Sequence, residues 1–135
     1  MSTLKTNTFT GTTSAGSIVV TGEGGSTTTN LQQGLCKVWI DFDGTGTISI
    51  DDSLNVTSIT DNATGKTTIT IANDMASGDY SVAGSSVGSG GSFNGWLQGG
   101  GTAKAAGSVI VITRHESSGD VDLAEVSTSI HGDLA

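Results

Sequence analysis

The sequence contains no proline and a single cysteine, and aromatic residues make up only 4% of its 135 residues. Basic residues are also scarce, with 5 Lys and Arg against 13 Asp and Glu, so the formal net charge is -8 at pH 7. Nucleic acids and anionic membranes are bound through basic patches, and this charge argues against both as partners. No apolar run approaches the roughly 20 residues that span a bilayer, so we expect no membrane insertion.

Glycine, serine and threonine take the place of the missing residue types, with 21 Gly in the chain. These residues favour strands, turns and loops over the interior of helices. The hydrophobic fraction is 34%, which is low for a globular protein and sufficient for one small core. A chain of this size with so little to bury is marginal alone, so we expect several copies to associate.

The opening residues, MSTLKTNTFTG, lack the apolar segment of a secretory signal, which predicts a protein made and folded in a cytosol. Cys36, the single cysteine, cannot form an internal disulfide. It lies in the apolar half of an alternating run, so we interpret it as a small core residue and not as a reactive thiol.

Hydrophobic residues recur with a period of two along most of the chain, which is the pattern of half-buried strands. Residues 36–43 place Cys36, Val38, Ile40 and Phe42 on one face and leave Trp39 on the polar face. Further short strands are predicted at residues 47–51 with Ile48 and Ile50 inward, around Leu54 and Val56, at 67–72 with Ile69 and Ile71 inward, around Tyr80 and Val82, at 108–113, and at 126–130. Turn residues separate them, so we predict an all-β fold, a small antiparallel β-sandwich or barrel-like domain.

Residues 41–52, DFDGTGTISIDD, read like the calcium-binding loop of an EF-hand. An EF-hand needs a helix on each side of the loop, whereas both flanks here have the period of strands. We therefore interpret the stretch as a hairpin in which Gly44 and Gly46 supply positive φ angles, while Asp41 and Asp43 keep one strand face hydrated. No metal site is predicted.

Residues 1–33 form a separate N-terminal segment, because residues 1–30 contain one apolar strand candidate, SIVVT at 17–21, between stretches rich in Gly, Thr and Ser. They are too poor in apolar residues to form a core of their own. The segment is either a flexible leader or an extended arm that becomes ordered by packing on a partner. We favour the arm, since SIVVT would otherwise be an exposed strand prone to aggregation. Residues 34–135 form the β domain.

Residues 84–101 form a second unusual segment, rich in Gly and Ser, which we predict to be a long loop. The glycine spacing is irregular and no GK[ST] follows, so it is not a phosphate-binding loop. Phe93, Trp96 and Leu97 interrupt the small residues. Either they pack under the loop or on a neighbouring subunit, or they form, together with Trp39, a contact surface for a receptor sugar or protein.

Catalysis finds little support in the sequence. His115 and His131 are far apart and belong to no metal-ligand spacing, and His115 is expected to be solvated in a polar turn. Asp51 and Asp52 are adjacent and would point to opposite faces of a strand, which does not suit an acid and base pair. We therefore predict no catalytic residue, no cofactor and no enzymatic activity.

The opening Met1-Ser2-Thr3-Leu4-Lys5 with Asn7 resembles the start of tail-fibre and other virion-appendage proteins of tailed bacteriophages, commonly of marine and cyanobacterial phages. The stretch GLCKVWIDFDGTGTISIDDSLNVTSITDN at residues 34–62 is similar to a module that such proteins share. The ending, GSVIVITRHESSG followed by VSTSIHGDLA, also resembles that module. Asp41 and Asp43 stand where the module has asparagine, so the hairpin does not depend on carboxylates there.

The resemblance implies a non-enzymatic structural protein of a virion, made in the host cytoplasm and assembled as a homotrimer. In the leading hypothesis it is a short tail fibre or receptor-binding appendage. Its N-terminal arm, with Ile18, Val19 and Val20, would attach to other virion proteins, and its β domain would face a glycan or protein of the host surface. The alternative is a capsid decoration protein or head fibre.

Overall fold

A computed structural model describes residues 3–14, 16–88, 94–115 and 119–135, with only the backbone described for residues 94–103. The chain divides into two compact units, Met1–Leu35 and Cys36–Ala135. No helix in these ranges is long and apolar enough to cross a membrane.

The first unit contains a small hairpin and one turn of helix. Strand β1 (Val19–Thr21) pairs antiparallel with β2 (Thr28–Asn30), and helix α1 (Leu31–Gly34) follows directly. The Asn30 side chain begins the helix by accepting hydrogen bonds from the backbone N–H groups of Gln32 and Gln33. The predicted strand SIVVT is therefore present as β1, whereas β2 was not predicted because its Thr and Asn residues carry no apolar alternation.

The second unit is built from antiparallel strands. They are β3 (Val38–Asp43), β4 (Ser49–Leu54), β5 (Val56–Ala63), β6 (Lys66–Ile71), β7 (Ser81–Val87), β8 (Asn94–Ala105), β9 (Ser108–His115), β10 (Gly119–Asp120) and β11 (Glu125–His131). Their order across the sheet is β4-β3-β11-β7-β8-β9-β6-β5, and β10 pairs with β9. The predicted all-β antiparallel fold is confirmed.

The two end strands of this order, β4 and β5, follow each other in the chain across Asn55. One cluster of buried side chains fills the interior. From the β3 and β11 side it takes Val38, Ile40, Phe42, Val126 and Ile130, and from the β6 and β9 side Ile69, Ile71, Val109 and Val111; Met75, Tyr80 and Leu123 complete it. The predicted alternation in β3 and β6 is thus confirmed, and the strands predicted at residues 108–113 and 126–130 are present as β9 and β11.

Strand β4 does not bury the side chains that the sequence predicted for its inner face. Ile50 is 36% exposed and Leu54 47% exposed. The strand has a neighbour on one side only, and its register against β3 shifts near Asp41, which leaves Asp51 without a paired residue. The edge position and the bulge together break the alternation.

Leu54 and Val56 were predicted to lie in one short strand, but they belong to β4 and β5, and Asn55 between them explains why. It has a φ of 60°, in the left-handed region that few residues other than glycine adopt. The chain therefore turns between Leu54, which is exposed, and Val56, which packs against the core. This bend carries the chain from the β3 side of the domain to the β6 side.

One detail of the turn after β3 also differs from the prediction. In the turn after β3, Gly46 has a positive φ of 59°, but Gly44 does not. Gly44 is needed for a close approach instead, because its N–H donates to the Leu123 carbonyl at 2.9 Å and a Cβ would come within 3.0 Å of that oxygen.

Cys36, predicted in the core, is half-buried outside it, with its thiol 3.0 Å from the Val38 carbonyl.

The prediction of a long loop at residues 84–101 is wrong at both ends. Strand β7 continues to Val87, and β8 begins at Asn94 and pairs with β7 and β9. These strands were missed because they are rich in Ser and Gly. A strand is recognised in a sequence by the alternation of apolar and polar side chains, and glycine has no side chain to contribute to it.

Candidate functional site

The stretch that reads like an EF-hand loop is a hairpin turn. The Asp43 carboxylate accepts hydrogen bonds from both the backbone N–H and the hydroxyl of Thr45, each at 2.7 Å. The Thr45 hydroxyl first, and then its N–H, lower the pKa of Asp43 from its ordinary value of 3.8. Within the described ranges no group of three or more His, Cys, Asp or Glu side chains could hold a metal ion.

Asp41 points away from the core and meets a partner on the neighbouring strand. It lies opposite Ser127 of β11, and the Ser127 hydroxyl donates to its Oδ1 atom at 2.9 Å. This hydrogen bond fixes the direction of the carboxylate. Among the described residues, the Oδ2 atom of Asp41 has no hydrogen-bond partner, so it is available to a ligand.

A groove of about 400 Å³ runs over this outer face, across β3, β11 and β7. Two rows of paired residues line it. They are Trp39, Ser129 and Ala83 in one row, and Asp41, Ser127 and Ser85 in the other.

Strand alternation explains why these side chains share one face. On β3 the buried Val38, Ile40 and Phe42 alternate with half-buried residues, and on β11 the buried Val126, Thr128 and Ile130 alternate with the serines. The antiparallel register then sets each serine of β11 beside a residue of β3. The groove therefore combines an aromatic side chain, a carboxylate and several hydroxyls.

Trp39 is half-buried and lines the groove. It was predicted as a contact residue. Ser127, Ser129 and Ser85 were not, although the alternation in VSTSIH indicated that the two serines of β11 face outward. Only the strand order brings them beside Trp39.

The other predicted contact residues fall on or beside β8. Phe93 lies outside the described residues. Trp96 and Leu97 are paired with Arg114 and Thr113 of β9, and their position is known for the backbone alone. Whether they pack on a neighbouring subunit or contact a receptor stays a prediction.

The two histidines both end strands. His115 is the last residue of β9 and His131 the last residue of β11, and both are half-buried. His115 was predicted to be solvated in a polar turn; it belongs to the strand instead.

The residues predicted for attachment lie in the first unit, at and before β1. Ile18 is half-buried and lines an apolar pocket of about 250 Å³ with Phe9, Leu31 and Leu35. Val19 and Val20 are each about half exposed, at 56% and 51%. The first unit thus leaves apolar side chains on its surface, a feature of segments that bind other proteins.

Neither the protein-family models, nor the curated proteins, nor the solved structures compared with this chain include a match.

Proposed function

We propose that this chain is a non-enzymatic structural protein of a bacteriophage particle, a short tail fibre or receptor-binding appendage. In this proposal its first unit attaches to the particle and its β domain is presented to the host. The observation that carries the proposal is the unequal distribution of charge and exposed apolar side chains between the two units.

The first unit is almost without charge. Met1–Leu35 contains one basic residue, Lys5, and one acidic residue, Glu23, which cancel. Its exposed large hydrophobic side chains are Leu4, Phe9, Val19, Val20 and Leu35. A neutral surface with several exposed apolar side chains favours burial against another protein.

The second unit is strongly acidic, and among its described residues the exposed large hydrophobic side chains are Ile50, Leu54 and Leu134, fewer than in the shorter first unit. Cys36–Ala135 contains the other four basic and twelve acidic residues, so the whole formal charge of -8 belongs to it. Such a domain repels copies of itself and stays dispersed in solution. A neutral, apolar attachment unit joined to an acidic β domain suits a component fixed to a particle at one end.

Association as a homotrimer is part of the proposal. The low hydrophobic fraction and the exposed apolar side chains of the first unit support contact between copies through that unit. Trimers would also bring three β domains to one attachment point.

The alternative, a capsid decoration protein or head fibre, is supported by a different observation. The one helix in the described ranges is Leu31–Gly34, so those ranges contain no coiled-coil shaft of the kind that extends a fibre. The acidic charge of the second unit also suits a capsid surface.

Labelling and counting separate the two. Antibody against the β domain, imaged on particles of the phage that encodes the chain, is expected at the tail, with a copy number that is a small multiple of the tail symmetry. Label spread over the head, with copies in proportion to capsid subunits, would support decoration. A chain missing from purified particles would contradict both.

A further inference from the structure

We infer that the groove lined by Trp39, Asp41 and the serines of β7 and β11 binds an uncharged or amine-bearing saccharide. The pyranose ring stacks on the Trp39 indole, and its hydroxyls donate to the Asp41 carboxylate. This inference rests on the proposed function, in which the β domain faces a host surface.

The groove beside Trp39 is open enough for a small molecule. The direct neighbours of Trp39 across the sheet are Leu54 of β4 on one side and Ser129 of β11 on the other, and beyond Ser129 the groove is lined by the small residues Ala83 and Gly84 of β7. Trp39 is half-buried, and the small residues on its β11 and β7 side leave the outer face open there as the groove that Trp39 lines. The groove volume of about 400 Å³ lies in the range of small-molecule sites, which extends from roughly 300 to 1,000 Å³.

Polar groups line the same groove. Asp41 is held by the Ser127 hydroxyl through Oδ1, and its Oδ2 atom has no partner among the described residues. A fixed carboxylate accepts hydrogen bonds from two adjacent hydroxyls of a sugar, and such charge-assisted bonds are strong. Ser85 and Ser129 add hydroxyls that both donate and accept.

Charge then selects among saccharides. Asp41 is the one charged residue that lines the groove, and it is negative. The basic residues of the domain lie outside the groove lining: Arg114 and Lys66 pair with Asp120, the Lys104 ammonium donates to the Tyr80 carbonyl, and Lys37 is buried. Sialylated, sulfated and uronic-acid glycans are therefore disfavoured, whereas neutral hexoses and amino sugars are favoured.

Two other occupants fit the groove less well. An added peptide strand needs a free sheet edge, but β3, β11 and β7 each have neighbours on both sides. A second copy of the β domain would bring another acidic surface against Asp41, and like charges repel.

The test is binding of the full-length protein to an array of neutral, amine-bearing, sialylated and sulfated oligosaccharides, with calorimetry on the strongest binder. We expect signal for neutral or amine-bearing glycans. Trp39→Ala and Asp41→Asn are each expected to weaken that binding about tenfold or more, whereas Trp39→Phe keeps an aromatic face and weakens it less.

Two measurements keep the test selective. Circular dichroism melting verifies that each variant is folded, and Ser81→Ala, an exposed change on β7 outside the groove lining, is expected to leave affinity unchanged. Binding that prefers sialylated or sulfated glycans, absence of binding to any glycan, or unchanged affinity in Trp39→Ala would overturn the inference.

Adsorption to host cells separates this inference from the proposed function. If the wild-type protein and the Trp39→Ala variant bind cells equally well, the receptor-binding function is supported and the saccharide groove is overturned. Glycan binding that depends on Trp39, in a protein missing from phage particles, would keep the groove and overturn the proposed function.

Discussion

Asn55 and Asn73 are joined by three hydrogen bonds. The Asn55 Oδ1 atom accepts from the backbone N–H and the side-chain amide of Asn73 at 2.7 and 2.8 Å, and the Asn55 amide donates to the Asn73 carbonyl at 3.1 Å. The same amide donates to the Lys37 carbonyl at 3.2 Å. One side chain thus connects the segment before β3, the segment after β6 and the bend between β4 and β5.

Replacing Asn55 tests the importance of this connection. Asn55→Ala removes these hydrogen bonds and places an alanine at positive φ, so we expect a loss of about 3 kcal/mol in the free energy of unfolding. Asn55→Gly loses the same bonds but tolerates the φ, and its cost is expected to be smaller. Chemical denaturation at fixed protein concentration measures both.

Asn62→Ala is the matched control. Its amide donates to the Thr68 hydroxyl on the exposed surface of β5 and β6, so its cost is expected to stay within about 0.5 kcal/mol. Equal effects of the alanine changes at 55 and 62 would refute a special role for the bend.

Thr128 and Thr113 form a natural pair for a second prediction. Both are buried, but the Thr113 hydroxyl donates to the Val121 carbonyl at 2.6 Å, whereas the Thr128 hydroxyl has no hydrogen-bond partner in the described part of the chain. Thr128→Val is expected to raise the free energy of unfolding by about 1 kcal/mol, and Thr113→Val to lower it by a similar amount. Thermal melting of the two variants should shift in opposite directions, and shifts of the same sign would contradict this.

We expect the stability of the protein to depend on pH through the Asp43 carboxylate. Its pKa is lowered in the folded protein, so its contribution to stability is complete above the ordinary pKa of 3.8 and is lost as pH falls through the lower folded value. In Thr45→Val, which removes the larger cause, the Asp43 pKa is expected to rise toward 3.8. Carboxyl-carbon NMR titration of both proteins measures it, and an unchanged pKa would show that the hydroxyl is not the cause.

We expect copies of the chain to associate through exposed apolar side chains of the first unit. Val20→Asp adds a charge to an exposed apolar side chain of β1, so we expect weaker self-association, measured as a lower mass in light scattering, with little change in the melting of the β domain. Thr12→Asp adds the same charge at an exposed position of that unit and is expected to keep the wild-type mass. If wild type is itself monomeric at micromolar concentration, the trimer is excluded.

The local pattern of residues determined most of the fold by itself. Alternation in β3 and β6 predicts strands and identifies Ile40, Phe42, Ile69 and Ile71 as inward residues, because a half-buried strand needs a period of two. The strand flanks of residues 41–52 likewise exclude an EF-hand without any coordinates. The lack of basic residues and of a long apolar run also needs nothing beyond the sequence.

Tertiary structure decided the features that depend on which strands are neighbours. Ile50 is exposed because β4 lies at the end of the sheet, and Asn55 turns the chain because Asn73 and Lys37 are within reach of its side chain. The groove exists because β11, near the end of the chain, inserts between β3 and β7 and sets Ser127 against Asp41. Pairing between strands so distant along the chain depends on the packing of the whole core, which no local pattern records.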